Sequence, residues 1–108
     1  MPESNRYPDC VRFNPKNNST VFSVTDENGE IVAVHEVFLN QEAKEIGRRT
    51  VGTPNDGFVR FFGHGAPHIF RGEPEDGMKL WIETGRTIWV DVSGILDTIG
   101  VTEQSREQ

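Results

Sequence analysis

A mostly β domain of the α+β class is predicted by three observations. Two runs rich in β-branched residues, Thr20–Thr25 and Ile31–Leu39, flank Asn28-Gly29, the strongest short-range hairpin signal a sequence carries. The chain has 11 Gly and 6 Pro in 108 residues, a share that favours short strands and many turns over long helices. Its apolar fraction, 34%, fits a modest core rather than several. The expected architecture is an antiparallel sheet of about five short strands built from hairpins, with one or two short helices, in a single domain spanning 1–108.

Each element has a local reason. Residues 1–9 and 102–108 are polar and charged and read as flexible ends. Arg12-Phe13-Asn14-Pro15 is a short extended piece, followed by a turn at Lys16-Asn17-Asn18. In the hairpin, period-2 alternation places Phe22 and Val24 on one face with Ile31, Ala33, His35, Val37 and Leu39. Gln41–Ile46 holds the best helix formers, with Asn40 as N-cap and Gly47 as stop. A loop over 52–57 leads to a third strand, Phe58–Phe62, broken by Gly63-His64-Gly65-Ala66-Pro67. After a brief run at 68–70 and a linker, Gly72–Gly77, two strands, Met78–Ile82 and Thr87–Val92, form a second hairpin turning at Thr84-Gly85. Ser93 caps a short helix through Ile99.

Composition excludes several classes. One cysteine, Cys10, rules out an internal disulfide framework and a multi-cysteine zinc site, and a reducing cytoplasm is the expected compartment. The N-terminal stretch lacks the apolar core of a signal peptide, and no apolar run nears the roughly 20 residues that span a bilayer. The net charge of −6 means that nucleic acid is not drawn by bulk charge, though a local basic patch would serve.

Five blocks in order carry a resemblance: Val11–Pro15, the hairpin Val24–Leu39, Arg48–Gly52, Gly57–Phe61 and Leu80–Gly85. Together they cover residues 8 to about 85, which resemble the region preceding and entering the Toprim domain of phage and plasmid DNA primases. That resemblance implies a DNA-replication setting and puts Leu80–Gly85 on a strand and turn. Two departures matter. Thr84 separates Glu83 from Gly85, where the family has Glu followed directly by Gly; in a second alignment Leu80 fills the first Glu position. No Asp-x-Asp occurs in the chain, so the carboxylate set that holds Mg²⁺ for phosphoryl chemistry is missing. The polymerising activity is therefore not carried over, and the chain is expected to be no enzyme, without catalytic residue, metal or cofactor.

The functional expectation rests on the arginines. Arg48, Arg49, Arg60 and Arg71 are accompanied by a single acid, Asp56, and interleaved with Phe58, Phe61, Phe62 and Phe70, near His64 and His68. Arginine beside exposed aromatics is how single-stranded nucleic acid is held, by phosphate contact and base stacking. Arg48, Arg49, Arg60, Phe62, His64, His68 and Arg71 are thus the candidate nucleic-acid-binding residues; the plainer reading puts the phenylalanines in the core. The expected role is a non-catalytic, Toprim-related accessory module that contacts single-stranded nucleic acid or a replication protein. The alternative is a small acidic phage-type protein that binds and inhibits a host protein, such as a defence nuclease. Its acidic groups, Glu42 and Glu45 with Glu73, Glu75 and Asp76, would be either a solvated face or a docking face for a basic partner.

Other candidates have simpler explanations. His64 and His68 could share a metal with Glu36 or Asp56, but Gly65 and Pro67 work against a helical two-histidine face. His35 reads as a satisfied sheet histidine, and Trp81 and Trp89 as core residues or interface anchors. Glu83 with Asp91 is the only acid pair with an enzymatic reading. Cys10 has no basic neighbour closer than Arg12 to lower its thiol pKa.

Overall fold

Asn28-Gly29 turns the chain as its composition demands. The computed structural model describes residues 8–98. The Asp26 carboxylate accepts from the N–H groups of Asn28 (2.9 Å) and Glu30 (3.0 Å), and Gly29 takes the left-handed φ of 83°. Around this turn, β2 (Ser19–Thr25) pairs antiparallel with β3 (Ile31–Leu39), setting Phe22 opposite His35 and Val24 opposite Ala33. Phe22, Val24, Ala33, His35 and Val37 are buried on one face, as alternation predicts. Ile31 is the exception. A bulge between Val24 and Thr25 shifts the register, and Ile31 stands 64% exposed beside the turn.

β1 (Val11–Asn14) and β4 (Glu45–Gly52) complete an antiparallel sheet ordered β1-β2-β3-β4. Of the helix expected at Gln41–Ile46, residues 41–44 are instead the β3–β4 turn, and Glu45 and Ile46 begin β4. The Asn40 side chain, read as an N-cap, accepts from the N–H groups of Glu42 and Lys44, while Ala43 adopts a φ of 64°. An asparagine at a helix N-cap and one heading a tight turn use the same acceptor, and the turn wins because β4 can then extend the sheet.

A second sheet, ordered β5-β7-β6, contains β5 (Val59–Phe61), β6 (His64–Arg71) and β7 (Arg86–Asp91). β7 runs antiparallel to β5 and parallel to β6. The two sheets meet where Thr25 and Phe58 exchange backbone hydrogen bonds of 2.9 and 3.0 Å. The described residues are thus mostly β and mostly antiparallel, as expected, with seven strands in two sheets rather than about five in one.

The parallel pair requires a crossover, and this is where the expected second hairpin fails. Pro74–Thr84 form an α-helix, α1, so Met78–Ile82 is no strand and Gly72–Gly77 is no linker. Pro74 sits at the first helical turn with Glu75 and Asp76, and Gly85 closes the helix at φ 69°, its N–H donating to the Trp81 carbonyl. The inward residues Pro74, Gly77, Met78 and Trp81 recur at i, i+3, i+4 and i+7. Leu80–Gly85, placed on a strand and turn by the primase resemblance, is therefore the last helical turn and its cap. A 3-10 turn spans Pro54–Asp56. Beyond β7, residues 92–98 contain no helix; the Ser93 helix is replaced by a turn, and its expected end at Ile99 lies outside the described residues. The flexible-end expectations for 1–7 and 102–108 also lie outside them.

One core joins both sheets. Val11, Phe22, Val24, Ala33 and Val37 of the first pack in a cluster with Val59, Phe61, Ile88 and Val90 of the second. The α1 backbone comes close enough to β7 that a β-carbon on Gly77 would lie 2.2 Å from the Val90 Cγ2 atom. Gly77→Ala would gain about 1 kcal/mol of helix propensity but lose about 1–3 kcal/mol to overpacking. Thermal melts should therefore show a lower Tm for Gly77→Ala; an unchanged or higher Tm would contradict this packing.

Candidate interaction surface

Arg48, the first of the predicted nucleic-acid contacts, points inward. It is only 3% exposed, and all five of its N–H donors are engaged. Glu45 receives a bidentate pair from Nε and Nη2 (2.8 and 2.7 Å), and Glu75 a second from Nη1 and Nη2 (3.2 and 2.6 Å). The remaining Nη1 donor reaches His35 Nε2 at 3.1 Å, and Glu73 lies 3.7 Å from Nη2. Three of the acids expected on a separate face, Glu45, Glu73 and Glu75, thus converge, from β4 and from the start of α1, on one buried cation. Burial and carboxylates act in opposite directions on this group, and the carboxylates hold the guanidinium charged.

His35 is fixed by the same cluster. Arginine cannot accept a hydrogen bond, so His35 Nε2 must be the acceptor and the proton sits on Nδ1, which donates to Thr50 Oγ1 at 2.8 Å. Burial first, then the neighbouring Arg48 charge, push the imidazole down to about 4. The sheet-histidine reading of His35 therefore agrees with its fully buried position.

The other arginines divide. Arg49 is exposed, with one terminal nitrogen 3.5 Å from Glu36 and its guanidinium over the Phe38 ring, so its charge is partly answered within the molecule. The Arg71 Nε atom lies 3.4 Å from Asp91, with the side chain 81% exposed. Arg60 stacks on Trp89 (4.1 Å to the ring centroid) and Phe58 (5.5 Å), while its Nε donates to Thr25 Oγ1 and the Thr25 carbonyl. Its two terminal nitrogens have no side-chain partner among the described residues. Of the interleaved phenylalanines, Phe61 is core, Phe58 and Phe70 are half-buried, and Phe62 is 70% exposed.

Arg60 forms a wall between two open clefts. The first, about 470 Å³, is mainly apolar and is bounded by Phe62, Trp81, Ile31, Pro8 and Cys10 with Thr25. Trp81 is held there by its Nε1–H bond to the Phe62 carbonyl and by stacking on Phe61. The second, also about 470 Å³, has Trp89 and Phe58 beside Asp26, Glu27 and Asp56. Among the described residues, Trp89 Nε1 is a buried donor without a partner, a cost of about 1–3 kcal/mol. The sequence alone puts Ile31 on the core face and leaves Trp81 as a core residue or an interface anchor, without bringing either to this cleft. The first needed the bulge and the second needed α1.

The chemical alternatives are not assembled. His64 and His68 are exposed on β6, Glu36 is buried against Ser19, Asn17 and Arg49, and Asp56 belongs to the 3-10 turn. No group of three or more metal-binding side chains gathers among the described residues. Glu83 is exposed in the last turn of α1, while Asp91 ends β7, about 20 Å along the strand from the Gly85 cap. Asp91 is held below its usual range chiefly by the Ser93 hydroxyl. Burial pushes the Cys10 thiol up to about 12, the opposite of an activated nucleophile. No described helix is long and apolar enough to cross a membrane.

The Arg48 cluster makes stability pH-dependent. Native His35 titrates near 4 and the unfolded residue near 6.5, so between these values the unfolded chain binds more protons. Acidification through that window should weaken the fold by on the order of 3 kcal/mol at completion. In urea melts between about pH 7 and pH 4.5, His35→Gln should show a much flatter stability profile than the wild type, because a neutral amide can still accept from Arg48. Identical slopes for both proteins would show that His35 is not the group responsible.

In comparisons with protein-family models, curated protein sequences and solved structures, nothing matches this chain.

Proposed function

We propose that this chain is a non-catalytic docking module that attaches to a partner protein through the cleft between Ile31, Arg60, Phe62 and Trp81. The resemblance to the region before the primase Toprim domain makes a replication protein the preferred partner. One observation carries the reading. The exposed apolar residues Phe62 and Ile31 flank one cleft, whereas Arg48, the first arginine expected to grip a phosphate backbone, is buried, and Arg49 and Arg71 each lie against an internal carboxylate. Phosphate contacts each add to affinity through counterion release, so a surface without Arg48, and with Arg49 and Arg71 partly paired, is a weaker track for a single strand than the four arginines of the sequence suggest. An aromatic anchor in a cleft beside an arginine is instead a common composition of protein-binding hot spots.

A second reading is favoured by the other cleft. Asp26, Glu27 and Asp56 lie together there, as an acidic inhibitor would need in order to seat a basic side chain of a host protein. The two readings differ in the cleft that they use and in the charge of the partner.

A photo-crosslinking phenylalanine analogue at position 62, used in cells of the source organism, tests the proposal. A discrete crosslinked protein should appear that is competed away by unlabelled wild type and not by Phe62→Asp. A labelled strand of about 20 nucleotides should remain unbound at about 50 mM salt. Salt-sensitive strand binding without a competable crosslink would overturn the docking reading.

A further inference from the structure

The edges of the two sheets are treated unequally. The outer edge of β4 is covered, since Thr98 bonds Arg48 through both its N–H and its hydroxyl, and the Asp97 carboxylate takes the Thr50 N–H. β1 is four residues long and is followed by Pro15, and Phe58, leading into β5, bridges to Thr25. β6 is the outer strand of its sheet, eight residues long, and exposed at every position but Phe70. The Gly72 N–H donates to the Asp91 carbonyl, which sets the phase of the parallel ladder. Residues 68 and 70 therefore face β7, and the backbone groups of Ile69 and Arg71 point away from the sheet. Among the described residues nothing bonds to them.

Charge distinguishes the possible occupants. The chain carries 17 acidic and 11 basic residues, yet from Gly57 to Gly72 there is no acid, while Arg60, His64, His68 and Arg71 are present. Arg86 lies opposite His64 in the ladder and adds a cation, while Asp91, opposite Arg71, answers part of that arginine's charge. A second copy of β6 would set these groups against their own kind, which is unfavourable across a ladder. We propose that β6 accepts an extended, acidic segment of the partner protein as an added strand. Backbone pairing at Ile69 and Arg71 would set its register, and the row of Ile69 beside Trp89 would receive its apolar side chains. Pro67, which has no N–H, confines that pairing to the C-terminal half of β6. The inference rests on the docking reading and adds the mode and the charge of the partner.

The probe is a peptide of about ten residues alternating Glu and Val, titrated into the isotope-labelled full chain, with a Lys-Val peptide as control. Saturable shifts and slowed hydrogen exchange are expected at the Ile69 and Arg71 amides. The Lys-Val peptide should bind at least about tenfold more weakly. Ile69→Pro removes an outward donor and no native bond, and should weaken binding at least about tenfold. Arg71→Glu should erase the preference for the acidic peptide. Equal binding of both peptides, perturbation of the same amides by oligothymidylate, or self-association of the unliganded protein through β6 would each overturn the inference. Loss of peptide binding with the position 62 crosslink intact would remove strand addition alone, whereas loss of the crosslink would remove the docking reading itself.

Discussion

A single buried guanidinium organises this molecule. Arg48 spends five donors on two bidentate carboxylates and one imidazole, and these partners come from β3, β4 and the first turn of α1. Lysine, with a point charge and no planar fork, could not make that set. The consequence reaches the surface. Glu73 and Glu75 tie the start of α1 to the first sheet, Gly77 allows the helix to lie on Val90, and its last turn then sets Trp81 against Phe61 and the Phe62 carbonyl. The wall of the apolar cleft is thus positioned by a cation some distance from it in the chain.

What was legible in the sequence depended on how local the signal was. The Asn28-Gly29 hairpin and its buried face follow from alternation and turn chemistry alone, and only the bulge that releases Ile31 was not encoded in the pattern. Within α1, Met78–Ile82 reads as a strand because Met78, Leu80 and Ile82 alternate over a short window. The competing signal was present in Pro74, Glu75, Asp76 and Gly85, a helix start and stop, with inward residues at helical spacing. Asn40 offered an acceptor that suits either a helix cap or a turn, and the sheet decided between them. At the candidate surface, Arg49, Arg60, Phe62, His64, His68 and Arg71 stay accessible to differing degrees, but Arg48 does not. Composition showed four arginines in a segment with one acid; it could not show that Glu73 and Glu75, more than 20 residues on, fold back onto the first of them.

The charge balance therefore has two parts. Inside, carboxylates outnumber the cation they surround, and the neutral His35 completes the set. Outside, the stretch from Gly57 to Gly72 is without acids and carries the exposed Phe62 and the uncovered strand β6. This division supports a role in docking, with specificity drawn from an apolar cleft and a basic strand edge.

The central claim is that Arg48 acts within the fold, and a double-mutant cycle between Arg48→Lys and Glu75→Gln tests it most directly. If the pair is the clasp described, each single variant should lower unfolding free energy, and the two should couple by about 1–3 kcal/mol. Additive effects within about 0.5 kcal/mol would contradict the account, because they would mean that the two side chains do not depend on each other.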